Sequence, residues 1–172
     1  MEARHAESKY RSTEDALVVA QDLLRQIIEH GKLELRFVVR QLDPSAEQPG
    51  EPAYVLDFSG PDQDLLLERN GALLDALESV VLKAARLDDE HFGAIALDSD
   101  DFRRARAEEL KLMARVAADR VLDYGEPFAL NPMTARERRI VHLALKDEPR
   151  VRSESEGFGA ERRVVISPAG SK

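Results

Sequence analysis

The residues best suited to chemistry are basic and cluster near the end of the chain. Arg138 and His142 stand four positions apart, Arg139 and Lys146 flank them, and Arg136, Arg150, Arg152, Arg162 and Arg163 lie close by in sequence. Arginine suits phosphate because its planar fork donates two parallel hydrogen bonds from a fixed charge. Histidine adds a ring that donates, accepts or carries a proton near neutral pH. On a helix turning ~100° per residue, His142 falls ~40°, Lys146 ~80° and Arg139 ~100° from Arg138, a wholly basic arc. Ile140, Ala144 and Val141 fall ~200°, ~240° and ~300° away, so the other arc can be buried. Glu137 lies on that apolar arc, and a role in capping the helix accounts for it. Spacing alone leaves two readings open: a phosphate-binding helix, or a solvated helix face with a lone histidine.

Other candidate residues carry less. His5, His30 and His91 are isolated and have no partner at metal-ligand spacing. Asp98-Ser-Asp-Asp101 lacks the glycine and the ligand pattern of a calcium loop and reads as a turn with a helix cap. Ser153 and Ser155 can hydrogen-bond to phosphate, but Ser alternating with Glu also suits the exposed face of a strand. No Gly-x-Ser-x-Gly, phosphate-loop or dinucleotide fingerprint is present. The expectation is a protein that is not an enzyme, with no metal site and no cofactor.

Composition sets the bounds on these readings. The chain has 172 residues, 43% of them hydrophobic and 34% charged, enough for one ordinary core or two small ones. With no cysteine there is no disulfide framework, thiolate zinc site or thiol nucleophile, which fits a reducing cytoplasm. The longest apolar stretches, such as Ala16–Ala20 and Leu65–Leu67, are far too short to span a membrane, and the acidic start is unlike a signal peptide. A soluble, unprocessed, cytoplasmic protein without membrane insertion is expected. The net charge of −8 is unevenly spread: residues 1–100 carry −11, residues 101–168 carry +2, and Lys172 adds +1. The acidic first half and the arginine-rich second half thus suit different partners.

Those residues need elements to position them. Residues 1–12 read as a frayed leader. Ser12 or Thr13 can cap a first helix, with Ala16, Val19/Ala20, Leu23/Leu24 and Ile27/Ile28 at helical spacing up to Gly31. Leu33–Arg40 and Ala53–Phe58 read as paired strands around a linker holding Pro44, Pro49, Gly50 and Pro52. Asp62–Leu67 is a short helical piece, a second helix opens at Gly71, and Gly93–Leu97 is a third strand. A long helix capped by Asp100 or Asp101 runs to about Tyr124, with Leu110, Met113, Val116/Ala117 and Val121 along its stripe. Gly125 and Pro127 end it, and Phe128–Leu130 is a short strand. Thr134-Ala-Arg-Glu137 is a capping box opening the Arg138/His142 helix, which runs to about Leu145. Val151–Glu156 and Arg162–Ile166 then pair as a hairpin around Gly157-Phe-Gly159. The fold class is α+β, an α-β-β-α-α-β module followed by a long helix and a small α/β domain.

The segment Asn131-Pro-Met-Thr-Ala-Arg-Glu-Arg138-Arg-Ile-Val-His142-Leu-Ala-Leu resembles the R-three-H domain. That domain is named for an Arg and a His separated by three residues. Val151-Arg-Ser-Glu-Ser-Glu-Gly157 and Arg162-Arg-Val-Val-Ile extend the likeness, which covers about 102–167. The segment Leu65-Leu-Leu-Glu68-Arg69-Asn70-Gly71-Ala-Leu-Leu-Asp75-Ala-Leu77 is similar to the KH domain that precedes it in the bacterial Jag (SpoIIIJ-associated) family. The resemblance implies a KH-like domain of type II topology over 13–100 and an R-three-H domain over 101–168. It also implies a cytoplasmic protein that binds single-stranded RNA or DNA through Arg138 and His142, in a family linked to cell-envelope growth and division. Larger relatives carry an additional N-terminal domain, for which no room is expected ahead of the first helix.

The KH loop departs from the family pattern. A Gly-x-x-Gly loop clamps the nucleic-acid backbone because bare glycines let phosphates approach. Here it reads Glu68-Arg69-Asn70-Gly71, with a glutamate in place of the first glycine. The bulk and negative charge of Glu68 predict a weakened clamp, partly offset by Arg69. Two hypotheses follow. In the first, Arg136, Arg138, Arg139, His142, Lys146, Arg150, Arg152, Arg162 and Arg163 hold phosphates, with minor stacking from Phe158, Phe128 or Tyr124, and strong salt dependence. In the second, the acidic KH-like half binds a protein partner or a second copy of the chain, as an adaptor.

Overall fold

The computed structural model describes residues 12–42, 52–86 and 93–170. The expected leader, most of the proline-rich linker, His5 and His91 lie outside the described residues. The chain forms two compact units, Met1–Phe102 and Arg103–Lys172.

The first unit opens with helix α1, Thr13–Gly31, where Ser12 Oγ accepts from Asp15 N at 3.1 Å. That cap contributes about 1 kcal/mol by satisfying a backbone donor that has no partner within the helix. Ala16, Ala20 and Leu24 are its buried stripe. Strand β1, Arg36–Gln41, begins three residues later than the alternation from Leu33 predicts, because Leu33 N instead donates to Ile28 O at the end of α1. Strand β2, Tyr54–Ser59, pairs with β1 antiparallel (Phe37 opposite Phe58) and with β3, Ile95–Ser99, in parallel (Leu56 opposite Leu97). The sheet order is β1-β2-β3.

Helix α2, Gln63–Ala85, is two helices joined across a left-handed kink. Arg69, Asn70 and Gly71 take φ of 50°, 60° and 76°, and Glu68 is extended (φ −54°, ψ 150°). The expected α-β-β-α-α-β order is therefore present, with Glu68-Arg69-Asn70-Gly71 as the kink. Leu66, Leu74, Val81 and Leu82 pack with Leu24, Leu56, Ile95 and Leu97 in one core. Strand β3 is wholly buried, and Leu97 N on it donates to Glu78 Oε2 at 2.9 Å, so a buried carboxylate satisfies strand backbone from the helix side.

Helix α3, Phe102–Tyr124, leads into the second unit. Its buried stripe is Leu110, Ala114, Ala117, Ala118 and Val121. Val116, expected on that stripe, is 60% exposed, and alanines take its place, which allows close helix approach. Strand β4, Phe128–Ala129, helix α4, Ala135–Ala144, and strands β5, Val151–Glu156, and β6, Arg163–Pro168, complete the unit. The second sheet has order β4-β6-β5, both pairs antiparallel. Its core gathers Leu110, Val121, Leu130, Val141, Leu145, Val151, Val164 and Ile166. The architecture is α+β, and no helix among the described residues is long and apolar enough to cross a membrane.

Candidate nucleic-acid interface

The candidate interface is built on α4, and the first turn of that helix explains why it starts there. Thr134 Oγ1 accepts from Glu137 N at 3.3 Å while Glu137 Oε2 accepts from Thr134 N at 2.9 Å, the expected reciprocal cap. The burial of Glu137 has a second cause that the sequence did not reveal. Its Oε1 accepts from Arg106 Nε of α3 at 2.8 Å, and Arg106 also reaches Glu109 at 2.7 Å. One carboxylate thus caps α4 and ties it to α3, with both members of the pair only 12% exposed.

From that fixed start, Arg138 and His142 point toward β5. The strand alternates: Val151, Ser153 and Ser155 face the helix, while Arg152, Glu154 and Glu156 are exposed on the other face. Of the two readings open for Ser153 and Ser155, the exposed strand face is not the one they take. The glutamates occupy that face, because Val151 sets the inward phase. Arg138 Nη1 donates to Ser155 Oγ at 3.0 Å, His142 Nε2 lies 3.0 Å from the same oxygen, and His142 Nδ1 lies 2.7 Å from Ser153 Oγ. Arg138 and His142 are thus half-buried over a serine pair and not on a freely solvated face. Burial first, and then the charge of Arg138, hold the His142 ring below its ordinary pKa, so it is neutral at neutral pH. Arg138 Nε is buried without a hydrogen-bond partner.

The other expected residues divide into groups. Arg136, Arg139 and Lys146 are exposed on α4 or its end. Arg150 is held by Glu148 through two hydrogen bonds, Nε to Oε1 at 2.8 Å and Nη2 to Oε2 at 2.7 Å, and this pairing lowers the Glu148 carboxyl to about 2. Arg152 lies on the strand face turned away from His142, 3.8 Å from Glu154. Arg162 directly precedes β6 and Arg163 opens it, opposite Glu156. Of the aromatics, Phe158 is 92% exposed at the hairpin tip and Tyr124 is 74% exposed, while Arg120 lies over the Phe128 ring at 4.7 Å.

The segment Glu68-Arg69-Asn70-Gly71 has its own geometry. Glu68, Arg69 and Asn70 are exposed and Gly71 is buried. A Cβ at Gly71 would lie 2.5 Å from Phe102 Cε1, so the space beside that glycine is filled by an aromatic ring. Among the described residues no three Asp, Glu or His side chains are placed to share a metal ion.

A helix opened by a capping box, with an arginine and a histidine one turn apart over a two-stranded antiparallel ribbon, defines an R-three-H domain, and residues 108–168 match the model of that domain. Over most of its length the chain is also similar to three proteins each named RNA-binding protein KhpB. The relative from Lactiplantibacillus plantarum is 32% identical across 76% of this chain and 41% of its own length. That from Clostridium symbiosum is 30% identical across 65% and 50%, and that from Bacillus subtilis is 27% identical across 81% and 70%. The chain is thus similar to these proteins, and residues 108–168 are the part that matches the model of the R-three-H domain. The chain spans about half the length of the first two of these curated relatives.

Proposed function

We propose that this protein binds single-stranded nucleic acid, RNA in the first instance, through the α4 surface of its R-three-H domain. The observation that carries the reading is the convergence of Arg138 and His142 on Ser155. Two groups suited to phosphate are preset there, and the arginine keeps a buried donor unpaired. Arg136, Arg139 and Lys146 extend the positive surface, and Arg162 and Arg163 serve from the hairpin. Arg150 and Arg152 contribute less, one being engaged by Glu148 and the other facing away. The relatives' name as RNA-binding proteins favours RNA over DNA. On this reading residues 13–100 are a KH-like domain and 101–168 the R-three-H domain, with a cytoplasmic role that is not enzymatic and needs no cofactor.

A second reading concerns the first unit. Phe102 fills the space at Gly71 and Glu68 stands exposed on the loop, which favours a KH-like half that serves as a protein-interaction or dimerisation adaptor. Edge strand β1, with Val38 59% and Val39 37% exposed, is suited to such pairing. Fluorescence anisotropy of labelled single-stranded RNA and matched DNA, across a salt series, tests the proposal. The native protein should bind at low salt and Arg138→Ala/His142→Ala should not. If the native protein fails to bind at low salt, the adaptor reading replaces it.

A further inference from the structure

We propose that Ser153 and Ser155 are phosphate-binding residues, and that a bound phosphate draws a proton from solvent onto His142, which frees the Ser155 hydroxyl to donate outward. This rests on the reading that the α4 surface binds nucleic acid, and it adds two ligand groups and a proton to that reading.

Counting donors assigns the protons. An arginine can only donate, so Ser155 Oγ accepts from Arg138 Nη1. That contact polarises the Ser155 O–H and makes it the better donor to His142 Nε2, so the neutral ring carries its proton on Nδ1 and donates to Ser153. The order is then Arg138 to Ser155 to His142 to Ser153, and only Ser153 has a hydroxyl proton left for a ligand. When His142 gains a second proton, both ring nitrogens donate. Ser155 then accepts from Arg138 and His142 together, and its own hydroxyl proton is released from the ring. The site gains a positive charge and an outward donor in the same step.

The surroundings set the direction. On α4 the charge facing the ring is Arg138, which with burial opposes protonation. On β5 the inward face offers Ser153 and Ser155, and Glu154 and Glu156 lie on the opposite face. Behind them β6 presents Val164 and Ile166, opposite Ser155 and Ser153. Arg106 of α3 is engaged by Glu137 and Glu109. No carboxylate among the described residues of these elements supplies the counter-charge, so an arriving phosphate does.

The test is nitrogen-detected spectroscopy of the histidine rings over a pH series, on the native protein free and saturated with oligouridylate, whose bases do not titrate near the histidine range. The His142 pKa should rise by about one unit on saturation, which makes binding about tenfold tighter on the acid side. Calorimetry in buffers of different ionisation enthalpy should register proton uptake that His142→Gln removes. Ser155→Ala should weaken binding about tenfold, the loss expected for a hydrogen bond to a charged group, and Ser155→Thr should restore it. Oligouridylate that binds without shifting His142 overturns this proposal and leaves the nucleic-acid reading intact. A folded protein that does not bind oligouridylate at low salt overturns both.

Discussion

Phe102 occupies the space into which a side chain on Gly71 would extend. A Cβ on the glycine would come within 2.5 Å of Phe102 Cε1 and 3.1 Å of Cζ, and the glycine holds φ at 76°. A bare glycine can leave room for a ligand to approach the backbone, and here the room is taken by the ring that opens α3. Gly71→Ala combines left-handed strain with overpacking and should cost about 2–4 kcal/mol. Thermal denaturation checks it. Phe102→Ala in the same chain should return part of the loss, since the two changes share one contact.

Glu68 is different, because nothing in its backbone asks for glycine: it is extended, with φ −54° and ψ 150°. Its substitution by glycine or glutamine should therefore leave stability nearly unchanged. If the loop touches nucleic acid at all, Glu68→Gln and Glu68→Gly should tighten binding to a similar extent, a few-fold at low salt, because the removed charge is what matters. Anisotropy at two salt concentrations separates this from an effect of bulk, which would appear only in Glu68→Gly.

Much of this was legible in sequence, and the gaps have a common cause. Thr134 and Glu137 announce the start of α4 locally, and the interval from Arg138 to His142 puts both on one side of it. The order α-β-β-α-α-β follows from alternation, helical spacing and breakers. The partners of these residues were not legible, because they come from elsewhere in the chain. Arg106 is 31 residues from Glu137, and Ser155 is 17 from Arg138. A signal for the serines did exist: Val151 is the sole apolar residue of Val151–Glu156, and its phase sends 153 and 155 inward. Val116 misled because helical spacing does not distinguish it from the alanines beside it.

Glu137 should be the most costly polar residue to lose in the second unit. Glu137→Ala removes the cap of α4 and leaves Arg106, 12% exposed, without its inner partner. A loss of about 3 kcal/mol is expected, against about 1 kcal/mol for Thr134→Ala and less than about 0.5 kcal/mol for breaking the exposed Lys111–Glu108 pair. Urea denaturation of the three variants should give this ranking.

His142 makes stability depend on pH. Its folded-state pKa lies below the ordinary value of 6.5, so between the two values the unfolded chain binds more protons. The contribution is fully present above 6.5 and is lost as pH falls from there toward the folded value. His142→Gln should flatten that part of the stability profile. Saturating nucleic acid should flatten it too, if it raises the folded pKa. Urea midpoints measured from pH 8 to pH 5 read both effects.

The placement of the arginines gives unequal salt dependence. Arg138 faces the serine pair with a donor to spare, whereas Arg152 lies on the other strand face and Arg150 is already paired with Glu148. Each phosphate of a single strand that the protein ceases to neutralise lowers the slope of log affinity against log salt by about 0.7. Arg138→Ala should show that drop together with weaker binding at every salt concentration. Arg152→Ala should leave the slope within error of the native protein. Arg150→Ala should do the same, because a phosphate that recruits Arg150 must first separate it from Glu148. Equal drops in slope for all three would mean that the strand runs over both faces of the β5-β6 ribbon, and the α4 surface would no longer define the path.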